Sequence, residues 1–312
     1  MVVEYREEPC RSALNHVSGM SFRWSLNPYM GCAHRCTFCY VRAFERRADR
    51  PSDDRYGRSI RIKTNLVEVL ARELRRRSWR RELVAIGTAT DPYQPAEGRW
   101  RLTRASVTTL ADHATPLSII TRGPLIIRDL DVLTDAARRV PVSVTFSIPT
   151  LDREIWRTTE PGTAPPRQRL RAVRALIDAG IRASVGMAPI LPGLSDDRRK
   201  MADVVRAARA AGATSIWANV LHLQPGSREH FLDNLVRDWP EMLPRYEALF
   251  ARRAYLGRDV AEPIRRRVRE LELRHGIADR RAAPLEPDPE LEIGPGAEIQ
   301  APGQLALAWA QT

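Results

Sequence analysis

Three thiols, Cys32, Cys36 and Cys39, fall within eight residues of the segment NPYMGCAHRCTFCYVR. Thiolates are soft ligands that select zinc, copper(I) or iron–sulfur clusters over hard cations. Four of them would complete a structural zinc site or hold every iron of a [4Fe–4S] cluster, so three leave one position open. Two readings follow. One is a zinc site with Cys10 or His34 as fourth ligand, in a non-enzymatic metal-binding module. The other is a [4Fe–4S] cluster whose last iron is open to a substrate or cofactor. Structural zinc usually draws on two paired knuckles, and the chain has no second Cys-x2-Cys, which favours the cluster. With Cys10 the sole remaining cysteine, a second cluster is not expected.

Such a loop needs a scaffold, and 312 residues allow one large domain or two smaller ones. Four cysteines do not make a disulfide framework. No apolar run approaches the roughly 18 residues of a membrane helix, and MVVEYREEPCRSALNH lacks the order of a signal peptide. A soluble, cytoplasmic chain with no membrane partner is expected. Its net charge of +12 points to phosphate-bearing partners, including nucleic acid. Yet Lys63 and Lys200 are the only lysines, and so arginine-heavy a vocabulary also fits a compositional bias.

Short, branched or aromatic runs at 83–90, 117–121, 142–148, 183–190 and 214–220 read as strands, each closed by Gly, Pro, Thr or Asp. FRWSLNPYM (22–30) adds a first strand. Helical patterns lie between. Leu66, Leu70 and Leu74 form a stripe behind a capping Thr64 or Asn65. Val107, Leu110 and Ala111 mark a second helix from about Thr103, and RDLDVLTDAARR another. Leu170, Val173, Leu176 and Ile177 share a face that stops at Gly180, and a further helix runs from a capping Ser195 to Gly212. The alternation predicts an α/β fold, a partial (β/α)6 TIM-like barrel short of the eight units that close a full one, with additional C-terminal helices. The expected organisation is an N-terminal arm at 1–21, the barrel core at 22–224, a helical cover at 225–280 and a Pro/Gly/acid-rich tail at 281–312, where Leu305, Leu307 and Trp309 could pin the end back. Ligands of such sheets gather at the C-terminal strand ends.

Cys32-x3-Cys36-x-Phe38-Cys39 at the end of a first barrel strand resembles the signature of radical S-adenosylmethionine (SAM) enzymes. GTATDPYQPAEGRWRLTR (87–104), ITRGPLIIRDLDVL (120–133) and TEPGTAPPRQRL (159–170) resemble the spore photoproduct lyase-like, or DNA repair photolyase-like, branch, especially an actinobacterial subgroup of unassigned function. The resemblance runs from about residue 20 to about residue 235. It implies a [4Fe–4S] cluster on Cys32, Cys36 and Cys39 and SAM on the open iron. It implies reductive cleavage of SAM to a 5′-deoxyadenosyl radical that abstracts hydrogen from substrate, and an electron donor such as a flavodoxin or ferredoxin. It also implies SAM contacts: Phe38 against the adenine, Thr90 and Asp91 near the methionine moiety, Arg122 toward the carboxylate, Ser147 for the ribose or carboxylate, and Ala188 by its backbone to the adenine. A monomer is expected.

Each position has a plainer reading. Phe38 can be core, Thr90 and Ser147 can bond their own strand ends, and Asp91 before Pro92 can simply form a turn. His222, at the sixth strand's end, could face the substrate, though a lone histidine is more often structural. His34 reads as spacer, and Glu97 and Glu160 as ion-pair partners for an arginine-rich surface. Lyases proper carry a hydrogen-donating cysteine near the second strand's end, where this chain has Thr88. The expected substrate is of nucleic-acid or nucleotide type, with a small molecule or peptide as the alternative.

Overall fold

A computed structural model describes residues 3–279. Among the described residues eleven strands form two sheets: β1 (Glu4–Glu8), β2 (Leu14–His16), β3 (Trp24–Leu26), β4 (Tyr29–Met30), β5 (Ser59–Lys63), β6 (Val84–Ile86), β7 (Leu117–Thr121), β8 (Val142–Ser147), β9 (Arg182–Ile190), β10 (Ser215–Val220) and β11 (Ala278–Asp279). The larger sheet runs β2-β3-β6-β7-β8-β9-β10-β11. Its central six strands, β3 to β10, are parallel; β2 adds antiparallel at one end and β11 parallel at the other. The sheet does not close on itself, which makes it the expected partial barrel.

Parallel strands covered on both faces read as continuous rather than alternating runs, and every residue of β8 is buried. Ile119, Val144, Val185 and Ile216 lie fully inside, each contributing about 1.5–3 kcal/mol of apolar burial. Two of the polar residues on these strands find one another: Thr145 Oγ1 and Ser184 Oγ are 2.9 Å apart.

Three local expectations change. The segment 22–30 is not one strand, because the chain bends at Asn27–Pro28 and sends β4 to a separate sheet of order β1-β5-β4. Residues 4–8 and 14–16, read from sequence within an arm, pair with β5 and β3. Two helix starts also differ. Asn65 precedes the helix Leu66–Leu74 but makes no side-chain cap; its amide instead accepts from Cys10 N (2.7 Å) and donates to Cys10 O (3.1 Å). The helix Arg198–Ala210 is capped by Asp197, which accepts from Arg199 N and Lys200 N, while Ser195 Oγ accepts from Leu191 N in the preceding turn.

Beyond β10, the helices Ser227–Asp238, Leu243–Phe250 and Arg258–His275 form the C-terminal layer. Phe231, Leu235, Tyr246 and Phe250 pack in one apolar cluster with Cys36, Phe38, Leu191 and Leu221, so the first two of these helices brace the thiol loop, while Arg258–His275 packs on the main core. Ser227 Oγ donates to Cys39 O at 2.9 Å. Among the described residues no helix is long and apolar enough to cross a membrane. Residues 281–312, with Leu305, Leu307 and Trp309, lie outside the described residues.

Candidate functional site

One cavity of about 1150 Å³ of empty space, counting its mouth, opens at the C-terminal ends of the parallel strands. Cys32, Cys36 and Cys39 line it, as do Phe38, Thr90, Asp91, Arg122, Ser147, Ala188 and His222. All ten residues singled out from sequence therefore converge. The cysteines are free thiols, and Cys10 stands apart, partly buried against the main core on its bonds to Asn65. Burial pushes the Cys36 thiol up to about 12, against the pull of Arg122. Burial likewise pushes Cys32 well up, with Asp91 adding to the effect. Soft donors such as the Cys32 and Cys36 thiols, buried and resisting ionisation unaided, suit a metal, whose charge would offset their thiolates.

The loop is tied to the second barrel strand by buried polar side chains. Thr90 Oγ1 donates to Gly31 O (2.7 Å). Gln94, wholly buried, donates to Gly31 O (3.1 Å) and to Thr90 Oγ1 (2.8 Å), while its Oε1 accepts from Ala33 N (2.9 Å). Tyr40 donates its hydroxyl to Thr88 O. On the other side Gly162 packs where a Cβ would fall 2.3 Å from Ala33 O, and its N–H reaches His34 O at 3.0 Å. We expect Gln94→Ala to cost about 1–3 kcal/mol, because the buried loop groups it satisfies lose their partner. A urea midpoint for the apo chain that did not move would show the clamp to be dispensable.

Asp91 is fully engaged. Its Oδ1 accepts from Tyr93 N (2.9 Å) and Thr121 Oγ1 (2.6 Å), and its Oδ2 from Arg122 N (2.6 Å) with His34 Nδ1 at 3.2 Å. Burial raises its pKa, but His34 and these hydrogen bonds outweigh it and hold the carboxyl at about 2. His34 is thus more than the spacer expected from sequence; it is buried, lines the cavity and faces Asp91.

Arg122 joins most of the remaining positions. Its guanidinium lies 5.6 Å from the Phe38 ring centroid, and its Nη2 donates to Ala188 O (3.2 Å). Its Nε donates to Glu160 Oε2 (3.1 Å). Burial opposes its charge, but Cys36, Glu160 and Asp91 around it raise its pKa, so it stays a cation. Glu160 also accepts from Arg169 Nη1 (2.6 Å), and Arg169 donates to Ser147 O (2.9 Å). Sequence placed Glu160 and Glu97 among surface ion pairs; both are wholly buried instead. Glu97 accepts from Tyr29, Thr103 N (2.9 Å) and Arg104 N (3.1 Å).

The Ser147 hydroxyl makes no hydrogen bond to another described residue and faces the cavity. His222 stacks on Tyr255 with centroids 5.2 Å apart and planes at 10°, and burial lowers its pKa to about 4, so it is neutral at pH 7. Thr88 lines the cavity, its Oγ1 accepting from Asn27 Nδ2 (3.2 Å). Trp217 and Asn219 of β10, with Met20 and Phe22, complete the wall and were not singled out from sequence. Their signal would have been side-chain alternation within the sixth strand, which points 217 and 219 to one face.

Comparison with known proteins places this geometry in context. A family model described as "Radical SAM superfamily" matches residues 26–205. An uncharacterised protein of Mycobacterium tuberculosis is 40% identical over 293 residues, covering 93% of this chain and 86% of that one. An uncharacterised protein of Methanocaldococcus jannaschii is 24% identical over 174 residues, covering 56% and 62% of the two chains. Spore photoproduct lyase complexed with dinucleoside spore photoproduct superposes with a TM-score of 0.66 at 15% identity, covering 87% of this chain and 79% of that one.

Proposed function

Since the chain belongs to the radical SAM superfamily, enzymes that use an iron–sulfur cluster and SAM and need a reductant, we propose that Cys32, Cys36 and Cys39 hold a [4Fe–4S] cluster. We further infer that SAM fills the remaining ligand position and that the substrate is of nucleic-acid or nucleotide type. The observation that carries this reading is the convergence of the three thiols and the polar strand ends on one cavity. Three thiolates suit a [4Fe–4S] cluster, in which each takes a different iron, whereas structural zinc wants four ligands on one ion.

When bound, the cluster and SAM supply a 5′-deoxyadenosyl radical; the protein supplies orientation and exclusion of water. Arg122 remains charged and keeps its Nη1 outside the bonds to Glu160 and Ala188, which suits it to a carboxylate. Phe38 offers an apolar ring face to the adenine, and Ser147 an unengaged hydroxyl to the ribose. Thr90 and Asp91 act one step removed: Thr90 holds the loop at Gly31, and Asp91 holds the Arg122 backbone. They are positioning residues, because their polar atoms already have protein partners.

The nucleic-acid reading draws on the net charge of +12 and on the dinucleoside bound by the lyase of similar fold. A second reading, modification of a small molecule or peptide, is favoured by Thr88, a hydroxyl where the lyases have a thiol hydrogen donor. The deciding experiment is anaerobic reconstitution with SAM and dithionite, following 5′-deoxyadenosine with and without DNA or RNA. Nucleic acid should stimulate formation and bind with a steep salt dependence. Stimulation by small metabolites alone would favour the second reading. In the cell, a flavodoxin or ferredoxin would take the place of dithionite.

A further inference from the structure

We propose that a second cavity, on the outer side of the thiol loop, binds phosphate groups. The proposal does not depend on how the inner cavity is used. The outer cavity has about 600 Å³ of empty space counting its open mouth, room for a phosphate group but not for a protein domain. Arg35, Arg42, Arg157 and Arg237 line it, against two carboxylates, Asp54 and Asp238. Asp238 is spent on Arg237, which it holds at 2.8 Å and 2.6 Å. Asp54 lies 3.9 Å from His230 Nδ1 and points largely into solvent.

Arg42 makes the imbalance sharper. It is 1% exposed, yet bonds no carboxylate side chain among the described residues: its Nη1 donates to Ser52 O (2.8 Å) and Asp53 O (2.7 Å), its guanidinium carbon lies 4.7 Å from the Tyr56 centroid, and its Nε has no hydrogen-bond partner among the described residues. Burial works against its charge, and the anionic groups near it are the Cys39 and Cys36 sulfurs and the exposed Asp53 carboxylate; a phosphate in the cavity would add to these. Neutral donors complete the lining. Thr37 and Thr158 bring hydroxyls, that of Thr37 lying 3.5 Å from Thr159 O, while the Asn234 amide ties the wall together, its Nδ2 donating to His230 O (2.7 Å) and its Oδ1 accepting from Arg237 Nη2 (2.8 Å). Burial and the nearness of Arg42 lower the His230 pKa to about 4, so this imidazole offers a hydrogen bond rather than charge. Forked guanidinium groups with hydroxyl and imidazole neighbours match phosphate oxygens.

The loop itself is bent to create this wall. Arg35 adopts a left-handed backbone, φ 53°, which a long side chain rarely takes without a reason. The bend is held by Gly57, where a Cβ would fall 2.3 Å from Cys32 O and 2.6 Å from Arg35 Cγ. Arg35 thereby lines both cavities, and its neighbours Cys36 and Thr37 face opposite sides, inner and outer. A phosphate in the outer cavity would sit directly behind the thiol loop.

The test uses the full chain with its cluster reconstituted, titrated with inorganic phosphate by calorimetry. Saturable binding is expected. Arg157→Glu, on the exposed rim, should weaken it about tenfold or more, the loss of one charge-assisted contact, while SAM affinity stays unchanged. Asn234→Asp, on the opposite wall, should act in the same direction. Competition then separates the sources of the phosphate. Displacement by a single-stranded oligonucleotide assigns it to a nucleic-acid backbone, displacement by a 5′-mononucleotide alone assigns it to a small nucleotide, and displacement by neither assigns it to free phosphate. Absence of saturable phosphate binding, or equal binding by wild type and both variants, would overturn the proposal.

Discussion

Cys36→Ala will form no measurable 5′-deoxyadenosine under conditions in which the reconstituted wild type does. Cys36 is buried, lines the inner cavity and packs against the apolar layer of C-terminal helices, so nothing nearby can substitute for its sulfur. The one other thiol outside the loop, Cys10, is fixed to Asn65 and takes no part in the cavity. Loss of a proposed cluster ligand should exceed the roughly 10–100-fold penalties typical of groups that merely support a ligand, so a fall of more than about 100-fold is expected. Iron content and SAM cleavage, measured anaerobically on Cys36→Ala and on Cys10→Ala, check this together. Cys10→Ala should match the wild type. Equal activity in Cys36→Ala would remove the thiol loop from the chemistry altogether.

The contrast between these two cysteines shows what could be read from the chain. Most of the central strands were legible because they are short, branched and largely buried runs, and β7 begins and ends at the residues that its composition marks. Their order and parallel direction then bring Thr90, Arg122, Ser147 and Ala188 to one rim, although they are spread over about a hundred residues of sequence. The failures share a physical cause. FRWSLNPYM looks like one strand because its apolar pattern is continuous, but the split at Asn27–Pro28 depends on a second sheet built from β1 and β5, whose pairing is remote in sequence. Asn65 and Ser195 have the right side chains to cap helices, yet each finds a partner in another segment or the preceding turn.

Buried polar networks were the least legible part of the site. Gln94 carries no motif value alone; its role comes from Gly31, Ala33 and Thr90 meeting it across the fold. Glu160 and Arg169 are nine residues apart and look like ordinary surface charge in a chain with 50 Lys and Arg. That they are buried together follows only from the turn that folds the segment after β8 back under the Arg122 strand end.

Glu160→Ala should therefore destabilise the chain by about 3–5 kcal/mol, the penalty for removing one partner of a buried ion pair and leaving the other uncompensated. The single carboxylate serves two guanidinium groups, Arg122 at 3.1 Å and Arg169 at 2.6 Å, and has no exposed surface of its own. An exposed pair of the same geometry would cost only about 0–1 kcal/mol, so the urea midpoint of the apo chain separates the two cases without any cofactor present. A double-mutant cycle with Arg169→Leu sharpens the test. Removing both charges should cost less than the sum of the single changes, because Arg169 is no longer left buried and alone. Arg122 keeps its need for a counter-charge in either background, and without Glu160 its guanidinium is held by Ala188 O and the Phe38 face alone. SAM affinity should consequently fall in Glu160→Ala more than in Arg169→Leu, although Arg169 makes the shorter contact with the carboxylate. The reverse order would show that Glu160 serves the fold and that Arg122 orients itself.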